Sequence, residues 1–218
     1  MRLARPRIVR ETKRPIEEKE PPARAKLAPH DWLSGDSIGL YAEAAESGNP
    51  FELYLSTTAE KKIRAHAERE APRRLEVMGF LLGEVRKWNG RAYSVVRDIG
   101  TTELRSSSSK VRFDPEAFPN LFTNLDDSGF DYILVGWYHS HPGHTCFLSR
   151  TDLETQRTMF DQPYHTAIVI DPINEDIKAF RLAGDGYKEL AFAVFKEEPD
   201  GLPKKTRTRK LKVKSVPP

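Results

Sequence analysis

Along this chain the spacing of apolar residues switches repeatedly between a period of two and a period near 3.6, the marks of strand and helix. Residues 36–47 predict a short helix, and residues 51–55 alternate as a strand. Thr57, Thr58, Ala59 and Glu60 have the spacing of a capping box, so a helix is expected from about Thr58 to Glu70, with Pro72 beyond its end. Residues 77–85 form an almost unbroken apolar run containing Gly79 and Gly83, as expected of a strand covered on both faces. Trp88, Asn89 and Gly90 supply a turn, and residues 92–99 read as the returning strand of a hairpin. The polar residues 100–110, with consecutive serines from Ser106 to Ser109, read as a mobile loop of weak strand character. Asp114 and Pro115 have the residue types of an N-cap and a first helical position, predicting a helix over residues 114–125. Further on, residues 132–138 read as a strand, 149–159 as a helix, and 165–170, 177–182 and 190–195 as three more strands.

Helices are interspersed with hairpins instead of alternating one for one with strands, so the pattern specifies a mixed α/β domain without βαβ regularity. At 218 residues, 38% of them apolar and 31% charged, the chain can bury one substantial core. Residues 1–30, with Pro6, Pro15, Pro21, Pro22 and Pro29 among charges, read as a disordered arm. Order is expected from near Asp31, residues 31–200 as the globular body and residues 201–218 as a basic tail. Charge divides the same way: residues 1–26 carry nine basic and four acidic side chains, and residues 204–214 carry seven basic and no acidic ones. The part between keeps 19 basic and 28 acidic side chains, a net charge of −9. Such a basic tail offers a docking segment for an acidic surface. No aromatic residues interleave with its charges, which argues against nucleic-acid binding by stacking. No apolar run approaches the length of a membrane span, and the N-terminal residues mix basic and acidic groups where a secretory signal needs an apolar stretch, so a cytoplasmic protein is expected. One cysteine, Cys146, rules out an internal disulfide and a zinc site built of several thiolates.

The chemistry concentrates in His139, Ser140, His141 and Pro142, followed after six residues by Ser149, Arg150, Thr151 and Asp152. Histidines two apart on a strand point to one face and can share an ion. Pro142 cannot continue a central strand, so the chain leaves the sheet there and meets a helix N-terminus at Ser149. Asp152, in the first helical turn, can face back to complete a His/His/Asp set, which suits zinc with a fourth position left for water. Ser149 and Asp152 equally have the spacing of a capping box. Cys146, two residues from His144, is a rival candidate nucleophile, although a lone cysteine is more often a small buried hydrophobe. His30, His66 and His165 lie outside this segment and read as surface or packing residues.

The segment GWYHSHPGHTCFLSRTD resembles the motif of the JAMM (MPN-plus) metallopeptidases, and LEVMGFLLGE resembles the strand of that family that carries its catalytic glutamate, here Glu76. The resemblance runs from about Phe51 to Phe195 and includes VIDP, ending at Pro172, and AFRL, ending at Leu182. These flanks are similar to the proteasome-lid and signalosome deubiquitinases. The endosomal branch adds a second, structural zinc site whose Cys and His ligands are missing here; His144 and Cys146 are the nearby extra candidates. The compact stretch 171–177 is similar to an archaeal member of the lid branch. The resemblance implies a cytidine-deaminase-like MPN fold: a central, mostly antiparallel, curved sheet flanked by helices. It also implies one zinc ion on His139, His141 and Asp152, Glu76 as proton acceptor and donor, and Ser149 stabilising an oxyanion.

The implied reaction is hydrolysis of the bond between the C-terminus of ubiquitin or a ubiquitin-like protein and a substrate lysine, linked to proteasomal degradation. A substrate-tail role is implied for the loop holding Gly100, Thr101, Thr102, Glu103, Leu104, Arg105 and Ser106, which would accept the extended tail as an added strand. A proteasome, an ATPase or another MPN protein is the implied assembly partner. The alternatives are a non-catalytic MPN scaffold, against which all five motif positions are filled, and a peptidase that processes a small sulfur-carrier precursor.

Overall fold

The longest apolar runs form the middle of one sheet. β3 (Met78–Trp88) and β4 (Arg91–Gly100) make a hairpin turned at Asn89 and Gly90, both in left-handed backbone with φ of 48° and 76°, as a tight two-residue turn requires. β7 (Ile133–Ser140) lies antiparallel on the other side of β3, and β8 (Thr166–Asp171) runs parallel to β7. β9 (Asp176–Ala183) and β10 (Gly186–Leu190) extend the sheet beyond β8, while β2 (Leu53–Ser56), β11 (Phe192–Phe195) and β1 (Leu27–Ala28) extend it beyond β4. The order of the nine strands is β1-β11-β2-β4-β3-β7-β8-β9-β10. Five of its eight neighbouring pairs are antiparallel and three are parallel, so the sheet is mixed with an antiparallel majority. The computed structural model describes residues 16–101, 105–107, 110–112 and 132–197, with residues 105–107 and 110–112 described by backbone alone. These two short pieces are β5 (Arg105–Ser107) and β6 (Lys110–Arg112), paired antiparallel apart from the main sheet.

Three helices cover the sheet in the described residues. α2 (Thr57–Glu70) packs Ala59, Ile63 and Ala67 onto one face, against Leu81, Val135 and Ile168. Ile63 is 1% exposed, and burying such a side chain contributes about 1.5–3 kcal/mol. On the opposite face, Phe80, Leu82, Trp137 and Val169 are covered by Cys146, Leu148 and Phe160, which belong to a loop and to α3 (Arg150–Met159). α1 (Gly35–Glu46) covers a third cluster around Tyr54, Tyr93 and Phe195. A register shift between Leu81 and Leu82 falls opposite Gly136, at φ 153°. A Cβ there would meet the Thr166 carbonyl at 1.9 Å, so glycine alone permits β8 to approach. The shift resets the alternation, because Leu134 and Trp137, three residues apart, face the same cluster. Trp137, His139 and His141 thereby share the face that α3 covers.

Several expectations are corrected. Order does not begin at Asp31: Leu27 and Ala28 pair with β11, the Lys19 N–H donates to the Lys87 carbonyl and the Lys87 N–H to the Glu17 carbonyl around the Glu18–Lys87 bridge, and His30 is buried against Glu60 at 3.0 Å. The segment is polar and rich in proline, yet it finds partners on the sheet edge that no local pattern announces. The cap of α2 is Ser56, whose Oγ accepts from the Ala59 N–H at 3.1 Å; Glu60 is drawn away to His30 and Arg64. The expected strand over residues 190–195 is β11 from Phe192, Leu190 being the last residue of β10, and β10 escaped the reading because an edge strand with a single buried residue lacks strict apolar alternation. The expected helix over residues 114–125, residues 1–15 of the arm, Thr102, Glu103 and Leu104 of the loop, and the tail 201–218 lie outside the described residues. Among the described residues no helix is long and apolar enough to cross a membrane.

Candidate metal centre

His139 is the penultimate residue of β7, and His141 follows just beyond the strand, both on the α3 face. Their Nε2 atoms stand 3.0 Å apart, and Asp152 Oδ2 lies 3.5 Å from one and 3.6 Å from the other. Four ligands placed tetrahedrally at 2.0–2.1 Å from zinc lie about 3.3–3.4 Å from one another, so the three atoms already form one face of such a tetrahedron. All three side chains are largely buried. Two imidazole nitrogens and a carboxylate oxygen that converge while largely buried bring lone pairs together, an arrangement that a bound cation would satisfy.

Each ligand is oriented by different means. Ser149 caps α3: its Oγ accepts from the Asp152 N–H at 3.2 Å, and Asp152 Oδ2 accepts from the Ser149 N–H at 2.8 Å. The capping box is therefore real, and it aims the carboxylate at the histidines. His141 Nδ1 donates to the Thr145 carbonyl at 3.2 Å, which leaves its Nε2 lone pair facing the site. His139 Nδ1 is buried and has no hydrogen-bond partner among the described residues. Its ring is held flat on Trp137, centroids 4.5 Å apart and planes within 10°. Trp137 Nε1 in turn donates to the fully buried Gln156 of α3 at 2.6 Å. These supports went unread in the sequence, where Trp137 and Gln156 look like ordinary strand and helix residues.

Charge follows the geometry. Burial would raise the Asp152 carboxyl, but the adjacent imidazoles of His139 and His141, with the Ser149 hydrogen bond, hold it far below the usual carboxylate range. Burial lowers His139. The same penalty acts on His141, yet Asp152, followed by Glu76, outweighs it and the imidazole is raised.

Glu76 lies just before β3, half-buried. Met78 faces His139 in the β3·β7 ladder, and the Ser140 N–H donates to the Val77 carbonyl at 2.9 Å. By strand alternation Glu76 falls on the face of Met78 and Phe80, and its charge is felt by both His139 and His141. His144 is exposed and outside the cluster of ligand atoms. Cys146 is buried, that burial pushes its thiol well above its ordinary range, and it lies outside the cluster of ligand atoms, all of which argues against the rival nucleophile. Of the loop residues, Gly100 ends β4, Thr101 is exposed, and Arg105 and Ser106 lie in β5. His66 Nδ1 meets the Tyr138 hydroxyl at 2.7 Å on the far face of the sheet, and His165 is buried beside Phe160.

Known proteins carry related sequences. The COP9 signalosome complex subunit 5 of Debaryomyces hansenii is 34% identical over 163 residues, 70% of this chain and 33% of that protein. The 26S proteasome regulatory subunit rpn11 of Schizosaccharomyces pombe is 36% identical over 137 residues, 60% of this chain and 43% of its own length. Ubiquitin carboxyl-terminal hydrolase RPN11 of Saccharomyces cerevisiae is 34% identical over 141 residues, 62% of this chain and 44% of its own. The chain thus spans between a third and a half of the length of these relatives, which come from the lid and signalosome branch that its flanking segments resemble. The profile of the JAB1/Mov34/MPN/PAD-1 ubiquitin proteases matches residues 52–162, a stretch that holds Glu76, both histidines, Ser149 and Asp152, and the chain belongs to that family.

Proposed function

We propose that this protein is a zinc-dependent isopeptidase of the JAMM type, which hydrolyses the bond between the C-terminus of ubiquitin or a ubiquitin-like protein and a substrate lysine. The observation that carries the proposal is the triangle of His139 Nε2, His141 Nε2 and Asp152 Oδ2, beside which the Glu76 charge is felt by both imidazoles. A zinc ion held on that triangle would supply a Lewis acid and a water of lowered pKa. Glu76 accepts a proton from the attacking water, whose oxygen bonds to the scissile carbonyl carbon. Ser149 Oγ is occupied as an acceptor by the Asp152 N–H, which leaves its own O–H to donate to the developing oxyanion. Glu76 then returns the proton to the lysine amine as the C–N bond breaks, and one water is consumed. A proteasome, an ATPase or another MPN protein in the cytoplasm is the proposed setting, supported by the signalosome and proteasome relatives.

The test is cleavage of a ubiquitin-like protein linked through an isopeptide bond to a reporter, with zinc content measured in parallel. Chelation should abolish cleavage, and Glu76→Gln should lower kcat by about 10²–10⁴-fold while one zinc is retained. Cleavage that survives both would overturn the mechanism. Stoichiometric zinc without cleavage of any such substrate would overturn the substrate class, and absence of zinc uptake would leave the scaffold reading.

A further inference from the structure

Asp171 ends β8 directly beside His141. In the parallel β7·β8 register Ser140 pairs with Ile170, and the His141 N–H donates to the Ile170 carbonyl at 2.9 Å. The Asp171 side chain is fully buried and saturated with donors. Its Oδ1 accepts from the N–H groups of Gly143 at 2.8 Å, Ile173 at 3.0 Å and Asn174 at 3.2 Å. Its Oδ2 accepts from the Thr145 N–H at 2.8 Å and from Asn174 Nδ2 at 2.6 Å. Burial alone would favour protonation, but the backbone donors of Gly143 and Thr145 lead the effects that keep the carboxyl below its ordinary range.

Two of those donors belong to the loop that leaves the sheet after His141. Thr145 stands at φ 62°, left-handed backbone for a β-branched residue, a conformation that persists only where neighbours impose it. The carbonyl of this strained residue is the acceptor for His141 Nδ1 at 3.2 Å. A carbonyl can only accept, so it selects the tautomer with the proton on Nδ1 and turns the Nε2 lone pair toward Asp152.

We infer that Asp171 is a positioning residue for His141: it clamps the loop at Gly143 and Thr145 so that the Thr145 carbonyl fixes the tautomer and orientation of the imidazole. The consequence for metal binding rests on reading His141 as a zinc ligand; the tautomer itself does not. In metal-free ¹⁵N-labelled protein at pH 8, the imidazole resonances of His141 in the native chain should report the Nδ1–H form. Asp171→Asn, whose amide cannot accept from both Gly143 and Thr145, should lose that form as the sole tautomer and raise the zinc Kd about 10–100-fold by chelator competition. Asn174→Ala removes one donor to the carboxylate without touching the loop and should keep the native tautomer and a Kd within about twofold of native, since the orienting partner is intact.

Asp171→Asn with native tautomer and affinity overturns the inference, and so does Asn174→Ala behaving like Asp171→Asn. Should Asp171→Asn fail to fold, the same quantities are read in Asp171→Asn/Thr145→Gly, where glycine adopts the left-handed conformation without strain. Failure of that chain to fold as well makes Asp171 a requirement of the whole fold and overturns the specific role. A native chain that takes no zinc overturns the metal-centre reading alone, because the tautomer measurement still decides the role of Asp171.

Discussion

Around Glu84 and around Asp152 the fold buries a carboxylate among nitrogen groups, and the two clusters are completed differently. Glu84, 6% exposed in β3, accepts from Arg86 Nε at 2.8 Å and from Arg97 Nε at 3.0 Å. Arg86 reaches Glu17 as well, and Arg97 donates to Glu197 at 3.1 Å and lies over the Phe195 ring. Every charge there has an opposite, and although burial penalises it, the arginines hold Glu84 below its ordinary range. At Asp152 the histidine nitrogens stay 3.5 and 3.6 Å away, too far for good hydrogen bonds. The first cluster is saturated and acts on stability. The second leaves lone pairs converging on one point, which is what a cation site requires. A buried charge by itself therefore says little about function; the convergence of three ligand atoms on one point does.

The largest effect that would break this contrast is on folding. Glu84→Gln leaves two guanidinium groups around a neutral amide and should destabilise the protein by about 3 kcal/mol, read as a lower urea midpoint, with zinc uptake unchanged. Asp152→Asn should do the reverse: zinc affinity falls by more than about a hundredfold, exceeding the loss of an outer partner, while the midpoint drops only by the value of a weakened cap, about 0.5–1 kcal/mol. Exchanged phenotypes would sink the distinction.

The smallest effect is a separation in pH. His165 is 5% exposed, and burial pushes its pKa down to about 4. The unfolded chain takes up a proton near pH 6.5 that the folded chain refuses, so this contribution is complete above pH 6.5 and is lost as pH falls toward 4. In metal-free protein His66 and His139 are shifted in the same direction, and the raised His141 opposes them by stabilising the fold below pH 6.5. Glu84, depressed, keeps its contribution until pH drops through the carboxylate range. Native and Glu84→Gln stability curves should therefore fall in parallel between pH 7 and 5 and converge only below about 4.5. Convergence already at pH 6 would show that the Glu84 cluster is not the closed ion network described.

What could be read from the chain was whatever depends on near neighbours. The Asn89-Gly90 turn needs two residues that tolerate positive φ, and the pairing of Ser149 with Asp152 needs only one helical turn. His139 and His141 share a face because strand side chains alternate, and that period is written in the two residues themselves. The edge strand β10 was missed for the same reason in reverse, since solvent on its exposed side removes the pressure for a strict pattern. The arm misled because its partners, Lys87 and Phe195, are 69 and 168 residues away from Glu18 and Leu27.

The sequence by itself determined the class of fold, the ligand types and the local geometry that aims them, because each of these is settled within a few residues by backbone period and capping. Tertiary structure alone decided that Glu76, just before β3, is carried to the site, because β3 pairs with β7 so that Met78 meets His139. It also decided that Trp137 and Gln156 hold His139 and that Asp171 holds the loop of His141. These contacts join segments far apart in the chain. Register and bulges arise from packing across the whole sheet, and no local period encodes them.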